Sequence, residues 1–341
     1  MTRFGAGLLG HISGNAGFDR LRQAVAICEE GGMDSFWVAD QRWMRDVYVT
    51  LTDLAARTQR VLLGTRVTDP YVRHPGLTAV AMASLDEASG GRAILGIGAG
   101  GSGFRQMGIE RRQPAIAVRE AIELIRLLWA GGPVEYSGRL VSWERGEIEF
   151  LCRPAIPVVI AARGPRLLAL AGELAQGAIV ASGVSAGGVA WARELIAKGE
   201  RRAGRAEGST ELLHMTYVSI DRDRRAAREA VKLGIVGAVS GSHPGYDFLR
   251  ANGLEIPQDL FDYLESGARD SRRVAELIPD SFVDKLAIAG TVDDCGERLA
   301  ALLDAGIQHP LISPIPVEDG GELEILRQVT GEILPSLRSR A

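Results

Sequence analysis

The chain has 341 residues, of which 46% are hydrophobic and 24% are charged, and its formal net charge is −4. This composition is too apolar for a disordered protein, and the slightly acidic balance excludes a protein that binds nucleic acid mainly through charge. No apolar run approaches the roughly 20 residues that a bilayer-spanning helix needs, so the sequence predicts a soluble protein without a membrane partner.

The cysteines bear on the cellular compartment. Cys28, Cys152 and Cys295 are odd in number, lie far apart and form no CxxC pair. Widely spaced cysteines of this kind are typical of reduced thiols rather than of a disulfide framework. The first residues show no charged-then-apolar signal pattern. These observations predict a cytoplasmic protein.

Short, almost continuously apolar runs alternate with amphipathic helical stretches along the chain. Such runs are typical of parallel strands that are covered on both faces. Eight strand–helix units favour an α/β fold of the (β/α)8 type, a TIM barrel, over an open sheet. In chain order the runs are Arg3–Gly10, Ser35–Asp40, Val61–Val67, Ala93–Gly100, Pro157–Gly164, Gly177–Gly183, Leu212–Ile220 and His309–Ile315.

Residues 131–156 depart from this repeat. They contain two stretches of alternating polarity, Val134–Tyr136 and Glu147–Leu151, with the turn residues Ser137 and Gly138 between them. Alternation around a turn is typical of a β-hairpin. We therefore predict a small β excursion at 131–156.

A second irregular segment, residues 237–284, is rich in glycine, proline and aspartate, with helical fragments around Tyr246–Ala251 and Asp259–Glu265. After it, a helix is predicted to begin at Thr291, which can cap it. Barrel loops that follow strands build the active-site mouth, so we interpret 237–284 as an insertion after strand seven, at the C-terminal face. We expect residues 1–341 to form a single TIM-barrel domain.

The functional residues of such a barrel lie where its strands end. Several of these ends are rich in glycine or alanine, which allows a planar ring or a phosphate to approach the backbone closely. Glycine also ends many strands for purely structural reasons, so each loop alone is ambiguous. The ends are Asp40-Gln41, residues 65–70, Gly98–Ser102, Ala161–Pro165 and Ala181–Gly183.

Residues 96–101 match the pattern GxGxxG of dinucleotide-binding sites. That interpretation requires a helix directly after the glycines and an acidic residue at the end of the next strand. Here the next helix begins only near Pro114 and the next long strand at Pro157. The context therefore excludes a Rossmann-type site.

The stretch from Ala161 to Arg166 predicts a phosphate-binding helix start. Pro165 suits the first position of a helix, and the free backbone N–H groups beside Arg163 and Arg166 would bind a phosphate. An ordinary helix start with two solvated arginines is the alternative.

Asp40 follows an apolar run and would face the mouth of the barrel. A carboxylate there could accept a hydrogen bond from a heterocycle or transfer a proton, although it could also merely cap the next segment. The histidines show no metal-ligand spacing, and no GxSxG elbow or P-loop occurs, so no metal site is predicted. His74 is a further candidate to line the site. The histidines are His11, His74, His214, His243 and His309.

Six motifs occur in a fixed order over nearly the whole chain. They are FWVAD (Phe36–Asp40), GTRVTDPYVRHP (Gly64–Pro75), LGIGAGGSGFRQMGI (Leu95–Ile109), AVREAIELIRLLWAGG (Ala117–Gly132), IPVVIAARGPRLLALAGELAQGAIV (Ile156–Val180) and FVDKLAIAGTVDDC (Phe282–Cys295). Together they resemble those of the luciferase-like superfamily of flavin- and deazaflavin-dependent oxidoreductases. The branch they resemble most is that of methylenetetrahydromethanopterin reductase and its relatives, which use coenzyme F420.

The resemblance implies a cofactor at the C-terminal mouth of the barrel, F420 or alternatively FMN. It also implies a cis peptide bond between Arg66 and Val67, which would form a bulge behind the central ring of the cofactor. Gly98, Ala99 and Gly100 would lie beside the cofactor. The residues implied near its phosphate are Ala161, Ala162, Arg163 and Gly164, with Ser182 nearby.

Two positions depart from the pattern of the relatives. Several F420 enzymes of the family carry Asp-His at the end of strand two, where this chain has Asp40-Gln41. Many carry an acidic residue after the glycine-rich stretch, where this chain has Gly101 or Ser102. Neither glutamine nor glycine transfers a proton, so Asp40 remains the candidate catalytic residue.

We therefore predict an oxidoreductase that transfers a hydride between F420 or a flavin and a small organic substrate, such as a pterin-like or other heterocyclic compound. An FMN-dependent luciferase-like monooxygenase that uses oxygen is one alternative, and a cofactor-binding barrel without turnover is a second. The family also implies a homodimer. Substrate choice is expected to depend on residues 237–284 and on Trp43, Met44 and Met107.

Overall fold

A closed ring of parallel strands forms the centre of the protein. The computed structural model describes residues 2–8, 17–101, 103–242, 245–268 and 270–339. The strands of this part of the chain are β1 (Gly5–Leu8), β2 (Ser35–Val38), β3 (Leu62–Thr65), β4 (Ala93–Ile97), β5 (Val134–Ser137), β6 (Ser142–Gly146), β7 (Val158–Ala162), β8 (Gly177–Val180), β9 (Glu211–Ile220), β10 (Ile288–Gly290) and β11 (His309–Pro314). Strands β1, β2, β3, β4, β7, β8, β9 and β11 pair in parallel in that order, and β11 pairs with β1.

Helices follow the strands around the ring. The predicted (β/α)8 TIM barrel is therefore confirmed. The helices are α1 (Gly17–Glu30), α2 (Val47–Ala55), α3 (Pro75–Ala88), α4 (Pro114–Ala130), α5 (Pro165–Leu174), α6 (Ala186–Arg202), α7 (Arg224–Ser240), α8 (Asp247–Ala251), α9 (Gln258–Glu265), α10 (Ser271–Leu277), α11 (Asp280–Leu286), α12 (Val292–Asp304), α13 (Glu322–Gln328) and α14 (Leu334–Ser339), the last two joined by a π-helical turn, Val329–Ile333. No helix within the described ranges is both long enough and apolar enough to cross a bilayer.

The apolar runs are buried on both faces of the ring, as parallel strands require. One set of side chains packs outward against the helices. A second set, from alternate positions of six strands, forms a separate cluster in the barrel interior. Its buried members are Trp37, Ile94, Val159, Ile179, Leu213 and Leu311.

The β excursion contains a hairpin whose second strand differs from the prediction. β5 and β6 pair antiparallel, and β6 covers Ser142–Gly146 rather than Glu147–Leu151. The backbone N–H of Gly138 donates to the carbonyl of Val141 at 2.9 Å, which closes a short turn. A short turn reverses the chain within a few residues. The residues immediately after the turn therefore pair with β5.

The segment after β9 contains more regular structure than the sequence indicates. Helix α7 continues to Ser240, and the two predicted fragments correspond to α8 and α9. Helices α10 and α11 and the strand β10 were not predicted, since seven-residue helices and a three-residue strand give almost no periodicity. The predicted helix start at Thr291 is confirmed, because its hydroxyl and the Asp294 carboxylate form a reciprocal capping box.

Glycines set the distance between α5 and α6. A Cβ atom at Gly199 would overlap the carbonyl oxygen of Ala169. We expect G199A to lower the free energy of unfolding by about 1–3 kcal/mol, measured by chemical denaturation, because the helices must move apart. The control G296A, in α12, would place its Cβ 3.9 Å from Ile333 and is expected to raise stability by up to about 1 kcal/mol. Equal effects of the two substitutions would contradict this account of the packing.

Candidate active site

A cavity of about 730 Å³ lies at the carboxyl ends of the barrel strands. Its wall combines strand ends with residues of the segment after β9, including Gly241, Tyr246 and Phe248. Most of the site residues predicted from the sequence line it. These are Asp40, Arg66, Val67, Gly98, Ala99, Gly100, Ala161, Ala162, Arg163 and Gly164.

Two predicted residues lie elsewhere. Ser182 is fully buried behind the cavity wall, where its carbonyl accepts a hydrogen bond of 2.6 Å from the side-chain amide of Asn252. His74 caps helix α3, since its Nδ1 accepts from the backbone N–H of Gly76 at 3.1 Å. Neither residue lines the cavity.

Closely packed backbone forms one wall of the cavity. The peptide bond between Arg66 and Val67 is cis, as the resemblance implies. A Cβ atom at Gly98 would lie 2.9 Å from the Val67 side chain. Gly100 has a φ of 62°, and a Cβ there would lie 2.8 Å from Asp69. Only glycine fits both the dihedral angle and the space at position 100.

Arg42 joins the two carboxylates beside this wall. Its Nη1 donates to Asp40 Oδ1 at 2.6 Å, and its Nη2 donates to Asp69 Oδ2. Asp69 in turn accepts from the backbone N–H groups of Tyr71 and Val72 at 2.9 and 3.0 Å. All three charged side chains are at most 15% exposed, so the cluster is largely shielded from water.

Asp40 has an altered acidity. Burial raises the pKa of its carboxyl group above the ordinary value, and the nearby charge of Arg42 only partly offsets this. A carboxyl group with a raised pKa retains its proton to higher pH than a solvated one. A raised pKa suits proton transfer, which is the role that the sequence predicts for Asp40.

The cavity wall also contains the start of helix α5, which directly follows β7. Gly164 is the N-cap residue and provides no capping side chain, and a Cβ at this position would meet open space. Arg163 is half-buried there, and its Nη1 donates to the carbonyl of Gly237 at 2.7 Å. Burial lowers the pKa of Arg163. Uncapped N–H groups beside an arginine form a site for an anion.

The guanidinium group of Arg66 is a site feature that the sequence did not reveal. The side chain crosses the barrel from the end of β3, packs over Gly7 of β1, and donates to Ser313 of β11 at 2.7 Å. It is 5% exposed, and burial lowers its pKa to about 10, so it is charged at neutral pH. The sequence shows only an arginine after a buried strand, with no sign of its direction.

Comparison with known proteins identifies the family. The family model for luciferase-like monooxygenases matches residues 2–309. The chain belongs to this family. Its resemblance to luciferase-like oxidoreductases is thus confirmed, and the protein is an oxidoreductase of the luciferase-like family.

Individual relatives of this luciferase-like protein match over nearly their whole length. It is 34% identical to 5,10-methylenetetrahydromethanopterin reductase of Archaeoglobus fulgidus, over 93% of this chain and 96% of that one. It is 28% identical to F420-dependent glucose-6-phosphate dehydrogenase of Nakamurella multipartita, over 95% and 94%. The structure of the coenzyme F420-dependent tetrahydromethanopterin reductase of Methanopyrus kandleri covers 98% of this chain and 99% of that one, with a TM-score of 0.85 and 28% identity.

Two positions of this luciferase-like protein depart from the pattern of its relatives. One lines the cavity and the other does not. Gln41 lines the cavity beside Asp40. Gly101 is exposed and outside the cavity wall, and Ser102 lies outside the described residues, as do His11 and His243. Glutamine offers an amide in place of an acid–base group at position 41.

Three side chains expected to influence substrate choice do not line the cavity. Trp43 is 69% exposed and Met44 is 40% exposed, both on the loop after Arg42. Met107 is partly buried outside the wall. Within the described ranges, no three His, Cys, Asp or Glu residues are grouped so that they could hold a metal ion.

Proposed function

We propose that the protein transfers a hydride between coenzyme F420 and a small organic substrate in this cavity. The wall of bare backbone formed by Val67, Gly98, Ala99 and Ala161 is the observation that carries the proposal. A planar ring can lie against such a wall because no long side chain intervenes. F420 is favoured over FMN because two relatives, the M. kandleri reductase and the N. multipartita dehydrogenase, are named as F420-dependent enzymes.

The residues of the cavity fit both ends of such a cofactor. The backbone wall suits the ring, and the N-terminus of α5 with Arg163 suits a phosphate. When bound, the deazaflavin supplies or accepts a hydride, and it has carbon where a flavin reacts with oxygen. Asp40 places a carboxyl group at the edge of this wall, where it can exchange a proton.

The role of Arg163 gives a direct test of the cofactor orientation. We expect R163E to raise the dissociation constant for F420 by about one to two orders of magnitude, equivalent to roughly 1–3 kcal/mol, because it removes a charged donor at the phosphate. Fluorescence titration measures this constant. The control R145E makes the same charge change on exposed β6, and equal affinities of the two variants would place the phosphate elsewhere.

Turnover with reduced F420 and a substrate panel tests the proposed reaction class. The panel contains pterins, other heterocycles and simple alcohols, assayed with and without oxygen. We expect F420 oxidation that depends on substrate and is unchanged by oxygen. Substrate oxygenation with reduced FMN would instead support a monooxygenase, and binding without any turnover would support a non-catalytic barrel.

We include a homodimer and a cytoplasmic location in the proposal. Val49 of α2 and Leu77 of α3 are 61% and 59% exposed on neighbouring helices, which provides apolar surface for a second copy. Cys28 and Cys295 are buried free thiols, as suits a reducing compartment. Analytical ultracentrifugation tests the dimer, and a monomer at micromolar concentration would exclude it.

A further inference from the structure

Two arginines line the cavity, and neither forms an ion pair within the described part of the chain. Arg163 lies at the start of α5, and Arg111 lies on the loop between β4 and α4. Burial lowers the pKa of Arg163, and the nearby charge of Arg111 adds to this effect. The two guanidinium groups are therefore close enough to repel each other. Such repulsion destabilises the folded chain until an anion binds between the charges.

The carboxylates that line the cavity already have cationic partners. Asp40 and Asp69 are both engaged by Arg42. Asp247 pairs with Arg250 at 2.6 Å. The protein thus neutralises these acidic groups itself, and the charges of the two unpaired arginines remain available to a ligand.

Both guanidinium groups can be reached from the cavity. Arg111 is exposed at the mouth, where its Nη1 lies 3.5 Å from the carbonyl oxygen of Gly100, a long and weak contact. The Nη1 of Arg163 donates to Gly237, which leaves Nε and Nη2 for other partners. Neither of these two nitrogens is among the fully buried unpaired atoms of the described residues. A ligand oxygen can therefore approach both side chains.

The loop that carries Arg111 is held in place by its neighbours. The Tyr71 hydroxyl donates to the carbonyl of Arg112 at 2.7 Å, and the Tyr71 ring packs edge-on against Phe104, with centroids 5.5 Å apart. The Arg112 side chain pairs with Glu110 at 2.7 Å and lies outside the cavity wall. Of these two adjacent arginines, only Arg111 lines the cavity, so Arg112 provides a matched control.

The two arginines follow neighbouring strands of the barrel. Arg111 lies in the connection after β4, Arg163 directly follows β7, and these strands pair in parallel. The ends of the same two strands provide Gly98, Ala99 and Ala161 of the backbone wall. A ring on that wall and an anion between the arginines can therefore belong to one molecule.

We propose that Arg111 and Arg163 bind one phosphate group between them, so that Arg111 is a second phosphate-binding residue beside the start of α5. The inference rests on the proposed function and deepens it. A tetrahedral phosphate can accept from donors on several sides, whereas a planar carboxylate is satisfied by a single arginine fork. The phosphate can come from the cofactor or from a phosphorylated substrate, and the adjoining ring wall favours the cofactor.

A matched pair of ligands tests the clamp formed by Arg111 and Arg163. 5-Deazariboflavin and 5-deaza-FMN differ only in the terminal phosphate, and both are titrated by fluorescence beside F420. We expect R111Q to bind F420 and 5-deaza-FMN about tenfold more weakly than the wild type does, because one charged donor to the phosphate is lost. Binding of 5-deazariboflavin is expected to be unchanged, R111K to keep part of the affinity and the control R112Q to keep all of it. Equal affinities of R111Q and the wild type for the phosphorylated ligands would overturn the proposal.

The double variant R111Q/R163Q shows whether the arginines share one anion. Effects of residues that act on the same group are not independent. We expect the double variant to weaken F420 binding by less than the product of the two single effects, because a phosphate that has lost one partner is no longer fixed for the other. A full product would mean that the arginines bind separate groups and would overturn the clamp. Circular dichroism checks that each variant is folded.

Inorganic phosphate distinguishes the two sources of the anion. We expect calorimetry to detect phosphate binding that R111Q weakens and that saturating F420 abolishes. Arg111-dependent phosphate binding that persists with F420 bound would assign the clamp to the substrate and contradict the cofactor assignment. If no deazaflavin binds the wild-type protein, the proposed function is wrong, whereas deazaflavin binding that ignores both the phosphate and Arg111 overturns the clamp alone.

Discussion

Replacing Asp40 with asparagine is expected to lower kcat by about 10²- to 10⁴-fold, the range typical of a lost general acid or base. Asparagine preserves the size of the side chain and an oxygen that can still accept from Arg42, but it carries no transferable proton. The F420 dissociation constant is expected to change little. Steady-state kinetics and cofactor titration measure these two quantities separately.

The pH dependence of the rate shows whether Asp40 acts in its protonated form. Burial raises the pKa of Asp40, Arg42 and Arg73 oppose that shift, and Asp69 adds to it. If protonated Asp40 is the donor, the wild-type rate falls as pH rises through this raised pKa, and D40N lacks that decline. The control D53N alters an acid of helix α2 that pairs with Arg22, outside the cavity, and should leave the profile unchanged. Full activity of D40N would remove Asp40 from the mechanism.

Replacing Arg42 with methionine is expected to lower the free energy of unfolding by about 3–5 kcal/mol at pH 7, because it leaves two largely buried carboxylates without their shared cation. The loss should shrink as pH falls, since Asp40, whose pKa is already raised, then becomes neutral. Urea denaturation at several pH values measures this. R42M/D69N should recover part of the loss, because one carboxylate is removed.

An arginine on the outside of the barrel provides the comparison for R42M. Arg22 pairs with Asp53 at 2.8 Å but is 36% exposed, so R22M is expected to lower stability by at most about 1 kcal/mol. Equal losses for R42M and R22M, or a loss for R42M that does not depend on pH, would show that the Asp40–Arg42–Asp69 cluster is not the source of the effect.

The sequence was sufficient for the features that depend on local patterns. The apolar runs identified all strands of the ring, and the Thr291 helix start followed from the spacing of a capping box. Glycine-rich strand ends indicated where backbone would be closely packed, because a side chain at Gly98 would collide with Val67 and one at Gly100 with Asp69. Family motifs then supplied the cis bond between Arg66 and Val67.

Features that depend on side-chain direction or on distant pairs were missed. Arg42 joins Asp40 to Asp69, 29 residues along the chain from Asp40, and Arg66 reaches Ser313 across the barrel. No periodicity encodes either contact, since each depends on how the ring closes. Ser182 follows a strand end as other site residues do, but it is buried outside the cavity wall. There, the side-chain amide of Asn252, from the later segment, donates to its carbonyl group.

Titration of the purified protein with oxidised F420 and, separately, with FMN tests the central claim most directly. The account predicts that F420 binds with a micromolar or lower dissociation constant and more tightly than FMN, and that R163E weakens this binding. The absence of F420 binding, or a clear preference for FMN, would contradict it.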